Sequence, residues 1–179
     1  MTTGPIRSRS WRDVVALNEV ARNCGEPLAL IPAIKQSNDR HRGWALRRLK
    51  DQFGDLRGRI VGVIGLTYKA GTDTLRRSEA VELCRILAAE GCEVRAFDPS
   101  ARRLPDSLSA VKLSSDAASA IRGADAVVIG ANWPEFQALA WAELIRAMRQ
   151  PCVIDASGFL MAALAGSPNI RYFSVGKPL

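Results

Sequence analysis

Residues 65 to 78 read Gly65-Leu66-Thr67-Tyr68-Lys69-Ala70-Gly71-Thr72-Asp73-Thr74-Leu75-Arg76-Arg77-Ser78, the stretch of the chain richest in groups that could do chemistry. Lys69 and Arg76 are cations and Thr72 and Ser78 offer hydroxyls. Ser78 also stands where a helix begins, and free N–H groups at a helix start favour an anion. A diphosphate is a natural guest. The glycines at 62, 65 and 71 lack the GxGxxG spacing, and the loop is too long before its helix, which weakens a plain NAD-binding reading. On these residues alone a structural account weighs as much as the functional one: Ser78 as an N-cap, Asp73 as a turn residue, Lys69 and Arg76 solvated.

The other reactive residue types are sparse. Cys24, Cys84, Cys92 and Cys152 form no CxxC pair, and a single histidine, His41, leaves no zinc-type cluster, so no metal is expected. None of the thiols has a histidine nearby in sequence, so each reads as packing in a reducing compartment rather than as a nucleophile. His41 reads as a satisfied helix-face residue. Ser10 and Asp13 have capping-box spacing, which places Asp13 in the first turn of a helix.

The net charge of +7 would suit nucleic acid, a membrane surface or a small anionic ligand. The basic residues gather at Arg40, Arg42, Arg47, Arg48 and Lys50, which reads as a solvated helix face. No aromatic interleaving or nucleic-acid motif accompanies them, so nucleic acid is not expected. Apolar residues at 47% and charged ones at 24% are the balance of a soluble globular protein. No apolar run approaches the roughly 20 residues of a membrane span, and Arg7 and Arg9 precede no signal-type apolar stretch. Membrane association is therefore not expected, and the cytoplasm is the default location.

The elements that must position the 65–78 loop follow from periodicity. Arg12 to Cys24 has helical spacing. A longer helical pattern runs from Leu30 to Phe53, with Pro32 in its first turn and a stripe of Ile34, Asn38, His41, Ala45, Leu49 and Phe53. At 1.5 Å per residue it would reach on the order of 35 Å, a length suited to joining domains or pairing subunits. Beyond it, strands are expected at Ile60 to Leu66, Glu93 to Phe97, Ala126 to Ala131, Cys152 to Asp155 and Ile170 to Val175. Helices are expected at Ser78 to Glu90, Asp116 to Arg122 and Trp141 to Arg149. This alternation predicts an α/β fold, a Rossmann-like parallel sheet flanked by helices, with an N-terminal helical extension. The expected division is residues 1–11 as a poorly ordered N-terminus, 12–56 as a helical segment and 57–179 as the α/β domain. Ligands gather beyond the carboxyl ends of such strands, which directs attention to the loops after Leu66, Phe97, Ala131 and Asp155.

The segment Val63 to Lys69, followed by Thr72-Asp73, Arg76 and Ser78, resembles the "GlaFKpnTDDxRxSP" signature of the UDP-glucose/GDP-mannose dehydrogenase C-terminal domain. Ala96-Phe97-Asp98-Pro99 is similar to the family's "ayDP" strand end, and the likeness continues through Ala124 to Val128, Trp133-Pro134-Glu135-Phe136 and Val153 to Asp155. Upstream, the helices between Val14 and Asn38 resemble the family's central dimerisation region. Altogether the resemblance covers about Arg12 to Gly176. It implies a UDP-binding domain in an enzyme that oxidises a sugar C6 alcohol to a carboxylate with NAD, through a cysteine thiohemiacetal. By this resemblance Tyr68, Lys69, Thr72, Asp73, Arg76 and Ser78 contact the nucleotide sugar, Arg76 is also a candidate cofactor contact, Asn38 lies near the cleft and Asp13 serves a water and proton relay. The resemblance further implies a homodimer formed through the Leu30 to Phe53 helix.

The pattern also breaks. Arg9 stands where the family's cysteine would fall, Thr74 replaces the second aspartate of "DDxR", Glu79 replaces the proline after the serine, and Asp155-Ala156-Ser157-Gly158 puts Ser157 in place of the "DgRN" arginine. A hydroxyl does not replace a bidentate arginine. The expectation is therefore an incomplete enzyme that does not bind NAD by itself, with a separate chain as the source of the NAD-binding domain. The alternative is a noncatalytic UDP-sugar-binding or dimerisation module.

Overall fold

The structure is a computed structural model that describes residues 16, 19–21, 23–24, 33, 36–37, 40–167 and 169–178. The chain divides into Met1–Trp44 and Ala45–Leu179. In the first unit Ala16, Glu19, Val20, Ala21 and Asn23 are helical, as are Ala33, Gln36, Ser37, Arg40, His41 and Arg42. Asp13 and Asn38 lie outside the described residues. The continuous helix expected from Leu30 to Phe53 is interrupted at Gly43, which adopts a turn before α1 (Trp44–Phe53) begins. Glycine inside a helix costs about 1 kcal/mol relative to alanine, so this is where a break is least opposed.

In the second unit α1 leads to β1 (Ile60–Ile64), α2 (Glu79–Ala89), β2 (Glu93–Phe97), β3 (Lys112–Leu113), α3 (Ala117–Ile121), β4 (Ala126–Ile129), α4 (Trp141–Ala147), β5 (Cys152–Ile154), β6 (Arg171–Ser174) and β7 (Lys177–Pro178). Short 3-10 turns at Asp106–Leu108 and Pro134–Ala138 fill two of the crossovers. The sheet order is β3-β2-β1-β4-β5-β6-β7. β1 to β6 run parallel and β7 folds back antiparallel on β6. The first six strands thus have the doubly wound order, which reverses direction between β1 and β4 and opens a crevice at their carboxyl ends.

The central strands β1, β4 and β5 are buried along their whole length, as parallel strands covered on both faces must be. One face of the sheet packs Ile64, Val127, Ile129 and Val153 against Ile121 of α3, Phe136, and Trp141 and Leu144 of α4. Gly62 lets α3 approach: a β-carbon there would lie 2.7 Å from the Ala120 carbonyl oxygen.

At the amino ends of the strands α1 is fastened to the sheet. Leu49 and Leu56 are fully buried, and the Phe53 ring carries the guanidinium groups of Arg59 and Arg171 at 5.2 and 5.3 Å from its centroid. Asp125 accepts the Ile60 N–H at 2.8 Å, with Arg59 at 3.6 Å. This explains why α1 falls with the sheet, although the sequence grouped it with the helices before it.

Candidate functional site

The crevice between β1 and β4 is built on two glycines. Gly65 has φ +84° and donates to the Phe97 carbonyl at 2.8 Å, while Gly130 donates to the Ile64 carbonyl at 2.9 Å. A β-carbon on Gly65 would lie 2.5 Å from the Ala131 nitrogen, and one on Gly130 would strike the Gly65 carbonyl and the Ala80 methyl. The backbones leaving β1 and β4 are therefore in direct contact, and the chain after Gly65 is directed over the end of the sheet.

Asp98 then holds that chain. Its carboxylate, 3% exposed, accepts through Oδ2 the N–H of Leu66 at 2.7 Å, the N–H of Thr67 at 2.8 Å, the Thr67 hydroxyl at 2.9 Å and the Trp133 indole N–H at 3.1 Å. Oδ1 accepts the Ser100 N–H at 2.9 Å. One carboxylate thus joins the loops after β1, β2 and β4. Sequence reasoning noted Asp98 only as part of a strand end, and this grip was missed.

The loop itself is held internally. Tyr68 N–H donates to the Thr74 carbonyl at 2.9 Å, and the Thr72 hydroxyl donates to the Lys69 carbonyl at 2.7 Å. Tyr68, Lys69, Thr72, Asp73 and Arg76 are all exposed on it, so the structure brings these expected site residues together on one surface loop. Ser78 N–H closes a turn to the Leu75 carbonyl, with Arg77 at φ +62°.

Ser78 differs from the other five. It is buried, and its hydroxyl oxygen accepts the N–H groups of Ala80 and Val81 as the N-cap of α2. Glu79 and Glu82 occupy the first helical turn. Two of the N–H groups expected to attract an anion are thus capped from within, and the remaining positive end of the helix dipole is countered by acids.

Beside the loop lies an open groove of about 670 Å³, lined by Asp73, Leu75 and the residues from Ser100 to Asp106. It places Arg102 and Arg103, both exposed, in one groove with Asp73 and Leu75 of the 65–78 loop. These two arginines were missed as well. The signal available was their position just after the β2 strand end, where ligands of doubly wound folds gather.

On the other side of the crevice the charge is different. Asp155, fully buried, accepts the Leu160 N–H and the Tyr172 hydroxyl, each at 2.7 Å. Burial, and then this bond to a carboxylate, raise the Tyr172 phenol above its ordinary value. The Ser157 hydroxyl lies 2.8 Å from Asp155 Oδ1 and 3.0 Å from Asn132 Oδ1 and, with one proton, donates to one of them at a time. Where the sequence resemblance led one to look for an arginine, the loop after β5 presents a neutral hydroxyl.

Cys84, Cys92 and Cys152 are buried, and burial pushes their thiols up to about 12, 11 and 11. They pack, and hold no thiolate at neutral pH. Cys24 is exposed. Among the described residues no three His, Cys, Asp or Glu side chains gather as a metal site, and no helix is long and apolar enough to cross a membrane.

Comparison with known proteins agrees with this arrangement. Residues 62–162 match the model of the UDP-glucose/GDP-mannose dehydrogenase family, UDP binding domain. The chain is 32% identical over 173 residues to a UDP-glucose 6-dehydrogenase of Rickettsia bellii, a match covering 94% of this chain and 40% of that protein. Among solved structures it is similar to a UDP-glucose dehydrogenase from Pyrobaculum islandicum, with TM-score 0.72, 28% identity and 90% of this chain against 35% of that one. A GDP-mannose dehydrogenase from Pseudomonas aeruginosa aligns with TM-score 0.61 and 26% identity, over 83% of this chain and 35% of that one. The chain therefore spans well under half the length of these relatives, and the match runs through the β1 loop, Asp98, Trp133 and Asp155. By that match and by its fold, this chain belongs to the UDP-glucose/GDP-mannose dehydrogenase family and carries the family's UDP-binding domain.

Proposed function

We propose that this domain holds the nucleotide diphosphate of a sugar nucleotide, as the substrate-binding part of a UDP-glucose 6-dehydrogenase-like assembly that oxidises the sugar C6 alcohol to a carboxylate with NAD. The observation that carries this reading is the cationic loop after β1, which displays Lys69 and Arg76 at the switch point and is tied to Asp98 at its root. A diphosphate needs charge-assisted donors on a preformed surface, and this loop supplies them. Tyr68, Thr72 and Asp73 contribute contacts from the same loop, and Ser78 contributes through the cap that sets where α2 begins.

NAD does not fit the crevice of this domain. In dinucleotide folds the acid at the end of the second strand bonds the ribose. Here that acid is Asp98, whose two oxygens already receive five donors. The cofactor and the reactive thiol would come from other residues, on a separate chain or elsewhere in the assembly. Asp13 as a water and proton relay, Asn38 near the cleft, Arg76 as a cofactor contact, a dimer through the Leu30–Phe53 segment and a cytoplasmic location remain parts of the same proposal.

Calorimetry of the chain with UDP-glucose, UDP and NAD tests this reading. UDP and UDP-glucose should bind and NAD should not, and Lys69→Ala should weaken UDP by about tenfold or more, the value of one charge-assisted contact. Absence of UDP binding would overturn it. Turnover on adding a chain with an NAD-binding domain would exclude the alternative, a noncatalytic UDP-sugar-binding or dimerisation module.

A further inference from the structure

We infer that Asp98 is the positioning residue of the ligand loop. By gripping the first two N–H groups after the β1 turn, and Trp133 across the crevice, it fixes the Tyr68–Arg76 surface that receives the nucleotide sugar. The inference rests on the proposed nucleotide-sugar function and adds a residue to it that touches no ligand.

Leu66 and Thr67 are fully buried, whereas Tyr68 and Lys69 are exposed, so the loop changes from core to surface within one residue of the grip. Beyond that point the Tyr68 N–H bonds the Thr74 carbonyl, the Thr72 hydroxyl bonds the Lys69 carbonyl, Ala70 packs on the core and Ser78 caps α2. The path by which the loop leaves the sheet toward Lys69 and Arg76 thus starts at Leu66 and Thr67, whose two N–H groups end on one oxygen. Trp133 Nε1 lies 3.1 Å from that oxygen and 3.3 Å from the Thr67 hydroxyl, which ties the loop to the chain leaving β4. Asparagine cannot reproduce this. Its amide has one accepting oxygen, so an NH₂ group must face either the Ser100 N–H or the four donors at Oδ2.

Asp125 supplies the matched control. At 4% exposure it is as buried as Asp98, and it too accepts a backbone N–H, that of Ile60, but at the amino ends of the strands, far from every ligand loop. The experiment compares the unsubstituted chain, Asp98→Asn and Asp125→Asn, by UDP-glucose calorimetry and by hydrogen exchange of the Leu66 and Thr67 amides without ligand. Asp98→Asn should weaken UDP-glucose and speed those amides by about tenfold or more each, while Asp125→Asn at a similar loss of stability leaves both within about twofold. Unchanged affinity in Asp98→Asn, or affinity falling in both variants in proportion to stability, would overturn the role of Asp98. If Asp98→Asn does not fold, Thr67→Val and Trp133→Phe each remove one donor and should weaken binding about threefold; no change in either also overturns it. Failure of the unsubstituted chain to bind UDP-glucose is a different result, which overturns the nucleotide-sugar reading itself.

Discussion

Gly65 passes so close to Ala131 that a β-carbon on it would lie 2.5 Å from both the Ala131 nitrogen and its carbonyl oxygen. The position also has φ +84°, so a side chain meets two independent penalties. Gly71, with φ +79° and nothing within 4 Å of a built β-carbon, meets only one. Gly71→Ala should cost about 1–2 kcal/mol, the left-handed backbone penalty. Gly65→Ala should exceed about 3 kcal/mol, because overpacking adds to it. Urea unfolding of both variants checks this, and equal losses would refute the close approach of β1 and β4.

Arg77 carries a left-handed backbone at φ +62°, closing the turn from Leu75 to Ser78. Glycine accepts that conformation freely but loses more entropy on folding, so the two effects partly cancel. Arg77→Gly should stabilise the chain by about 0.5 kcal/mol net, raising the thermal midpoint by about 1–2 °C. Scanning calorimetry decides, and a lowered midpoint would mean that the Arg77 side chain holds the turn.

The alkaline side of the stability profile should be steep. Cys84, Cys92 and Cys152 have thiols raised to about 12, 11 and 11 from an ordinary value of 9.0, and the Tyr172 phenol is raised too. Each group keeps its proton longer in the folded state than in the unfolded one. Its contribution is thus complete below the unfolded value and is lost as pH rises toward the folded value. Stability should fall from about pH 9 upward and continue falling to about pH 11–12. Tyr172→Phe should lower stability at pH 7, since Asp155 loses a donor, yet flatten the alkaline limb. Denaturant midpoints from pH 7 to 11 measure both, and an unaltered limb in Tyr172→Phe would contradict the buried phenol.

How much of this was legible beforehand differs from one element to the next for physical reasons. β1, β4 and β5 announce themselves because strands buried on both faces are unbroken apolar runs, as in Ile60-Val61-Gly62-Val63-Ile64. β3 has two residues, and only its pairing with β2 makes it a strand, so no local pattern could reveal it. Ser78 is written the same way whether its oxygen faces a ligand or its own helix, and the structure gives it to the helix. The partners of Asp98 lie 31 to 35 positions away in sequence, apart from Ser100, so its role depends on which loops the topology brings together. Lys69 and Arg76 became candidates by their place after the first strand and by the loop's family resemblance, since their residue type alone fits a solvated face as well as a ligand site.

Ser157 offers the sharpest test of how the crevice recognises charge. It is exposed at the end of β5, next to Asn132, which follows the Ala131 that packs on Gly65. The loops after β1 and β2 carry Lys69, Arg76, Arg77, Arg102 and Arg103, whereas Asn132, Glu135 and Ser157 follow β4 and β5 without a cation. A diphosphate held on the β1 side alone is therefore gripped from one direction. Ser157→Arg would place a planar fork opposite Lys69, in the position that the family resemblance assigns to an arginine. It removes one hydroxyl bond from Asp155, which keeps Leu160 and Tyr172, so the cost to stability should be about 1 kcal/mol. UDP-glucose affinity should rise by about tenfold, as one charge-assisted contact predicts, and the gain should shrink when salt is raised. Calorimetry at two ionic strengths measures this. A folded Ser157→Arg chain with no gain in affinity would show that the ligand does not span the crevice from β1 to β5.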